Sequence, residues 1–157
     1  MSKIYLFDWG DTLMIDNPEA QGKMCQWRSV TAVDDAADAL AFLSQTSPIF
    51  IATNAADSSE NEIKLAFERV GLSKYISGYF CQSNLGLSKE TPGFYDSIIS
   101  KLGVEASSVT MVGDTYEKDI LPSLQAGLNA IWLNPRASDE KCGEFCRQIK
   151  NLRELCS

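Results

Sequence analysis

An aspartate stands where a buried strand is predicted to end. The apolar run 4–7 is typical of a strand inside a core, and it leads directly into Asp8 and a polar turn. A buried carboxylate without partners is costly, so a cation or several N–H donors must face it. Asp8 is therefore positioned like a nucleophile. The chain contains no histidine, which excludes Ser-His-Asp and Cys-His catalysis and His-ligated metals.

Polar residues also follow two other apolar runs. The run 48–53 ends at Thr53-Asn54, and the run 109–112 leads into Gly113 and Asp114. Each of these residues alone is as consistent with helix capping as with function. In open α/β sheets, however, ligands bind outside the carboxyl ends of the strands. Three such strand ends together favour a functional site at one edge of the sheet.

Strand-like runs alternate with helical patterns along the whole chain. This alternation predicts an α/β fold, a Rossmann-like three-layer sandwich with a mostly parallel sheet of about five strands. The last apolar stripe, Phe145, Ile149, Leu152 and Leu155, predicts a C-terminal helix over 138–155 that packs on the sheet. The other predicted helices cover about 33–45, a segment from a capping box at 57–60 to Gly71, a segment from Thr91-Pro92 to Gly103, and about 118–126.

Length and composition limit the function classes. A chain of 157 residues, 45% of them hydrophobic, fits a single domain over 1–157. The net charge of −7 argues against binding to a nucleic-acid backbone or an anionic membrane. We expect neither a signal peptide, since the apolar run 4–7 is too short for its core, nor a membrane span, since the longer uncharged runs are interrupted by polar residues and proline. Five cysteines at irregular spacing favour free thiols in a reducing compartment, so a cytoplasmic location is expected.

Four segments together resemble the signatures of the haloacid dehalogenase-like (HAD) superfamily of phosphohydrolases. Asp8-Trp9-Gly10-Asp11-Thr12 is similar to its Asp-x-Asp-Gly-Thr motif, and Thr53 falls where the family places a Ser or Thr. Lys89, within 89–95, resembles the family lysine, and 113–119 resembles the acidic Gly-Asp-x4-Asp signature. Four motifs in this order, over about residues 3–135, are a specific signal.

The resemblance implies a Mg²⁺-dependent phosphatase in which Asp8 attacks phosphorus and forms an aspartyl-phosphate. Thr53 and Lys89 would assist catalysis, and the second aspartate of the acidic signature would support either the metal or the lysine. The implied metal ligands are Asp8, the Gly10 carbonyl, Asp114 and Asp119. The implied substrate contacts are Trp9, Gly10, Thr53, Asn54 and Lys89.

Gly10 is the main departure from the family pattern. The family has a second aspartate there, which protonates the leaving oxygen and later deprotonates the attacking water. Glycine can do neither, and general acid–base help is typically worth about 10²–10⁴ in rate. Asp11 and Asp16 are the candidates to replace it. Asp11 is also explained as a turn residue with positive φ where the family has glycine.

The chain also leaves little room for a cap. Only 44 residues separate Asp8 from Thr53, so we expect a HAD-like fold with little or no cap and a minimal flap at 14–30 containing Met24 and Trp27. Exposure of those two side chains would mark an interface. An open site fits a phosphorylated small molecule or macromolecule, or a homo-oligomer whose neighbouring subunit covers it.

Two other functions remain open. Gly10 favours a catalytically weakened protein that binds phosphate and metal or acts in regulation. A carbon–halogen or carbon–phosphorus hydrolase is the other alternative, because relatives with these activities also lack the second aspartate. The acidic signature argues against a dehalogenase, which needs no metal, and Lys23 is the one lysine in the flap that suits a Schiff base.

Overall fold

The structure, a computed structural model, describes residues 3–16, 19–20, 22–54, 58–89, 91, 93–135, 143 and 145–156. Its centre is a six-stranded sheet in the order β3-β2-β1-β4-β5-β6, in which every neighbouring pair is parallel. This confirms the predicted fold class and adds a sixth strand. The strands are β1 (Ile4–Phe7), β2 (Ile49–Ala52), β3 (Gly78–Phe80), β4 (Val109–Gly113), β5 (Asn129–Leu133) and β6 (Cys146–Ile149).

Helices cover both faces of the sheet. Alternate residues of β1 face opposite sides, so that Phe7 joins the core under α1 and α2, whereas Leu6 joins the core under α4. The result is the three-layer arrangement expected for a parallel sheet buried on both faces. The helices are α1 (Ala36–Ser44), α2 (Glu60–Arg69), α3 (Gln82–Leu85), α4 (Phe94–Leu102) and α5 (Leu121–Gln125), with a π-helical turn at Tyr116–Ile120 and 3₁₀ turns at Met24–Gln26, Ser73–Tyr75, Ala106–Ser108 and Leu152–Leu155.

The register of β1 brings the polar strand ends together. Phe7 pairs with Ile51 of β2 and with Val112 of β4. The Asp8 N–H donates to the Val112 carbonyl at 2.9 Å, which carries the ladder one residue beyond β1. Asp8 therefore lies level with the ends of both neighbouring strands, at the point where the strand order reverses. Such a switch point forms a crevice in open α/β sheets.

The predicted C-terminal helix is wrong over the described part of 138–155. Cys146–Ile149 forms β6, which pairs with β5, and Leu152–Leu155 forms a 3₁₀ turn. Ile149, Leu152 and Leu155 are buried, as their pattern indicates, but Phe145 is 67% exposed. Pairing with the open backbone edge of β5 is a non-local interaction that overrides the local helical spacing.

Some helix starts also differ from the sequence prediction. The capping box of α2 is formed by Ser59 and Glu62, two residues later than predicted; Asp57 lies outside the described residues. The N-cap of α4 is Gly93, whose φ of 94° needs a residue without Cβ, rather than Thr91. Pro92 lies outside the described residues.

Cysteine chemistry follows the expectation only in part. Cys25, Cys81 and Cys156 are free thiols, whereas Cys146 is disulfide-bonded. No helix within the described parts of the chain is both long enough and apolar enough to cross a membrane.

Candidate active site

Lys89 is held between two carboxylates at the carboxyl edge of the sheet. Its Nζ lies 2.6 Å from Asp8 Oδ1 and 2.7 Å from Asp119 Oδ1, and Lys89 is only 3% exposed. Burial alone would lower the pKa of Lys89, but the charges of Asp8 and Asp119 outweigh it and hold that pKa above its ordinary value. Lys89 is therefore a fixed positive charge beside the Asp8 carboxylate.

Asp114 completes a group of three carboxylates. One oxygen each from Asp8, Asp114 and Asp119 lies within 4.8 Å of the other two. The buried Thr12 hydroxyl is 3.2 Å from Asp8 Oδ2 and 3.3 Å from Asp114 Oδ1, so its single proton can be donated to either carboxylate. Burial, a hydrogen bond with Asp8 and the neighbouring negative charges raise the pKa of Asp114 to about 8. This shift indicates excess negative charge that a bound cation would neutralise.

The position of Asp119 depends on Gly113. Asp119 lies in the π-helical turn after β4, and its Oδ2 accepts a hydrogen bond from the Thr115 N–H at 3.1 Å. A Cβ on Gly113 would be 2.3 Å from Asp119 Oδ2 and 2.4 Å from Asp119 Cβ, closer than such atoms can approach. Only glycine at position 113 lets the buried Asp119 reach Lys89.

The end of β2 supports the segment that carries Lys89. Thr53 is 5% exposed, and its N–H donates to the Phe80 carbonyl of β3 at 2.9 Å. Asn54 Oδ1 accepts a hydrogen bond from the Lys89 backbone N–H at 2.9 Å. The Asn54 side chain therefore positions the Lys89 backbone, a function that the sequence did not indicate.

The loop after β1 folds back on itself. The Trp9 indole is 6% exposed and donates to Met14 Sδ, so most of it belongs to the core. Gly10 forms an isolated bridge with Met14, and Asp11 has a φ of 61°. The positive φ agrees with the turn interpretation of Asp11.

A cavity of about 410 Å³ opens above these residues. Part of its wall is the segment 22–27, which is fixed to α2 because Lys23 pairs with Glu62 at 2.6 Å and Arg69 donates to the Trp27 carbonyl. Met24 is 7% exposed and Trp27 is half-buried. Exposure of Met24 and Trp27 was expected to mark an interface on the flap. Because Met24 is buried, it does not support that expectation.

This cavity is lined by the eight residues to which the family resemblance gives a role in catalysis, substrate contact or metal binding: Asp8, Trp9, Gly10, Thr53, Asn54, Lys89, Asp114 and Asp119. Thr12, Gly113 and Trp132 also support the site, although no function was predicted for them. The Trp132 indole N–H donates to the backbone carbonyl of Asp114 at 3.1 Å. Thr12 and Gly113 both lie inside the motif segments, which was the available signal. No motif or spacing in the sequence pointed to Trp132.

The chain is similar to known proteins in both sequence and fold. Residues 10–127 match the model of the haloacid dehalogenase-like hydrolases. Pyrimidine 5'-nucleotidase YjjG of Escherichia coli (strain K12) is 33% identical over 81 residues, which are 51% of this chain and 36% of that enzyme. The matched part of this chain thus spans about a third of the nucleotidase.

Solved structures share the whole fold. A protein from Listeria monocytogenes serotype 4b superposes with a TM-score of 0.85 at 23% identity, over 98% of this chain and 94% of that one. The HAD hydrolase YfnB of Bacillus subtilis, solved bound to magnesium, gives a TM-score of 0.77 at 15% identity, over 98% and 96%. At these identities the likeness shows the fold alone.

Proposed function

The chain belongs to the haloacid dehalogenase-like hydrolase family, and we propose that it is a Mg²⁺-dependent phosphohydrolase acting through an aspartyl-phosphate on Asp8. The observation that carries the proposal is the buried Lys89 ammonium, 2.6 Å from Asp8 and 2.7 Å from Asp119. A carboxylate attacks a phosphate dianion only when the repulsion between them is offset, and Lys89 supplies a positive charge at that position.

The donor set fits Mg²⁺. Asp8 and Asp114 supply carboxylate oxygens and Gly10 a backbone carbonyl, the hard ligands that Mg²⁺ prefers. Asp119 is close enough to join them, and its two oxygens accept hydrogen bonds from the Lys89 ammonium at 2.7 Å and from the Thr115 N–H at 3.1 Å. We therefore propose that the main role of Asp119 is to orient Lys89. When bound, Mg²⁺ neutralises charge on the transferring phosphoryl group.

Each residue of the site has its own role in the proposed reaction. Asp8 forms the bond to phosphorus, while Thr53, the Asn54 backbone N–H and Lys89 bind the phosphoryl oxygens. Thr12 donates to the Asp8 or Asp114 carboxylate and fixes its orientation. Trp9 and Gly10 line the substrate's path. Water then hydrolyses the aspartyl-phosphate and releases phosphate.

A phosphorylated small molecule is the substrate class that suits the cavity. Its volume of about 410 Å³ lies within the range of ordinary small-molecule sites. The segment 22–27 serves as a minimal flap over this volume. The E. coli relative is a pyrimidine 5'-nucleotidase, which supports a phosphorylated small molecule as the substrate class proposed here.

A second candidate is a phosphate- and metal-binding protein with slow turnover, and Gly10 is the observation that favours it. Glycine has no group that transfers a proton. Loss of acid–base help would slow the reaction by about 10²–10⁴ without abolishing binding.

The test uses p-nitrophenyl phosphate with Mg²⁺. Asp8→Asn should lower phosphate release by at least about 10⁴-fold, because an amide cannot attack phosphorus. Asp96→Asn, the same substitution on the exposed face of α4, is the matched control and should keep full activity. Acid quenching followed by mass spectrometry should find the phosphoryl group on the wild-type peptide that contains Asp8. Activity that survives in Asp8→Asn would refute the covalent mechanism.

A further inference from the structure

The cavity contains a carboxylate that the proposed reaction does not yet use. Asp8 and Asp119 bind Lys89, Asp114 accepts from Thr12, and Asp11 Oδ1 accepts the Asp16 backbone N–H at 3.0 Å. Within the described part of the chain, the Asp16 carboxylate has no hydrogen bond or ion pair. Five aspartates among the described residues line the cavity: Asp8, Asp11, Asp16, Asp114 and Asp119.

The Asp16 side chain lies over the bare face of Gly10. A Cβ built on Gly10 would be 3.6 Å from Asp16 Cβ and 3.9 Å from both Asp16 Cγ and Oδ2, which are ordinary contact distances. Asp16 thus reaches the space beside residue 10 from six residues further along the chain.

The loop holds this arrangement through its backbone. The positive φ of Asp11 turns the chain, and the Asp11 N–H donates to the Met14 carbonyl at 2.6 Å. The hydrogen bond from the Asp16 N–H to Asp11 Oδ1 then fixes the return of the chain. These contacts bring the Asp16 side chain into the cavity beside Gly10, the position that lies two residues after the proposed nucleophile Asp8.

We propose that Asp16 is the general acid and general base of the reaction, a role that rests on the proposed phosphohydrolase function. In the first step, an Asp8 oxygen forms a bond to phosphorus as the bond from phosphorus to the ester oxygen breaks. The Asp16 carboxylic acid gives its proton to that ester oxygen, which leaves as an alcohol. In the second step, the Asp16 carboxylate takes a proton from water as the water oxygen bonds to phosphorus. The bond from phosphorus to Asp8 breaks, phosphate leaves, and Asp16 is protonated again.

The leaving group of the substrate separates this role from others. Nitrophenolate leaves without a proton, whereas the alkoxide of glycerol 2-phosphate needs one. Asp16→Asn should therefore lower kcat/KM for glycerol 2-phosphate by about 10²–10⁴ and leave kcat/KM for p-nitrophenyl phosphate within a few-fold of wild type. Because the second step also lacks its base, rapid mixing of this variant with p-nitrophenyl phosphate should release a burst of nitrophenol near one equivalent, followed by slow turnover. In the wild type, where Asp16 assists the second step, the burst should be smaller and the turnover that follows should be faster.

Two further variants make the test specific. Asp11→Asn removes a charge from the same loop but keeps an oxygen for the Asp16 N–H, so its loss of kcat/KM for glycerol 2-phosphate should be much smaller than that of Asp16→Asn. Gly10→Asp in the Asp16→Asn background introduces a carboxyl where the contacts leave room, and should restore activity on glycerol 2-phosphate at least tenfold. Asp16 is exposed, so its substitution should leave the melting temperature nearly unchanged.

The outcomes distinguish the two proposals. Full activity of Asp16→Asn on glycerol 2-phosphate, with a phosphorylated Asp8 in the wild type, would overturn the role of Asp16 alone. An equal loss in Asp11→Asn would also overturn it, because the loop rather than the Asp16 carboxyl would then be responsible. Absence of phosphate release and of phosphorylated Asp8 in the wild type would overturn the phosphohydrolase function itself.

Discussion

Gly113→Ala should disturb the site through Asp119, because the added Cβ would overlap the side chain that orients Lys89. The added Cβ would lie 2.3 Å from Asp119 Oδ2, 2.5 Å from Cγ and 2.4 Å from Cβ. Rotation of the Asp119 side chain can relieve the first two contacts but not the third. The backbone of the π-helical turn must therefore shift, and Asp119 must move away from Lys89.

The expected loss of stability follows from two contributions. Overpacking a tight interior contact costs about 1–3 kcal/mol, and loss of the hydrogen bond between the Thr115 N–H and Asp119 adds about 1 kcal/mol. We expect the free energy of unfolding to fall by roughly 2–4 kcal/mol, and the melting temperature by about 2–4 °C for each kcal/mol. Displacing Asp119 also removes one of the two anionic partners of the buried Lys89, so phosphatase activity should fall as well.

Urea denaturation provides the measurement, and Gly10→Ala provides a matched control. Position 10 has a φ outside the left-handed region, and the nearest atom to its added Cβ lies at 3.6 Å. Gly10→Ala should therefore change the free energy of unfolding by less than about 0.5 kcal/mol. Equal stability of Gly113→Ala and Gly10→Ala would refute the packing of Asp119 on Gly113, and with it the proposed positioning of Lys89.

The site residues could be predicted because buried parallel strands are recognisable in the sequence. The runs ending at Asp8, Thr53 and Gly113 are apolar apart from Thr110, and a polar residue after such a run falls at the carboxyl edge of the sheet. The register of β1 with β2 and β4 then places these ends side by side. Lys89 follows no such run, and its position was available only from the resemblance to the family.

The sixth strand could not be predicted because its residues fit two structures equally well. Ile149, Leu152 and Leu155 have helical spacing, yet the same side chains are buried by a strand and a 3₁₀ turn. The choice depends on β5, whose exposed edge needs a hydrogen-bonding partner. The sequence of residues 145–155 does not indicate that this edge of β5 is available for pairing.

The contacts of Asp119 with Gly113 and of Asp16 with Gly10 could not be predicted for a related reason. The spacing of six between Gly113 and Asp119 indicates proximity, but the direct packing of one on the other requires the π-helical turn at Tyr116–Ile120. The return of Asp16 to Gly10 likewise depends on the positive φ of Asp11. Side-chain contacts of this kind follow from backbone geometry that residue types only partly determine.

Two remaining predictions concern the metal and the proton at Asp114. Mg²⁺ should raise the melting temperature of the wild type, because a ligand that binds only the folded state stabilises it. Asp114→Ala should lose that increase, and an undiminished shift would place the metal elsewhere. The metal-free protein should become less stable as the pH rises. The pKa of Asp114 is about 8 in the folded protein against an ordinary value of 3.8, so between these values the folded state binds the extra proton. Its stabilising contribution is complete below the unfolded pKa and is lost as the pH rises through the folded pKa. Urea denaturation in EDTA at pH 5 and pH 8 should show this decline, and it should be smaller in Mg²⁺, because the cation then replaces the proton. Asp114→Asn cannot bind or release that proton, so a decline of the same size in this variant would show that another group causes it.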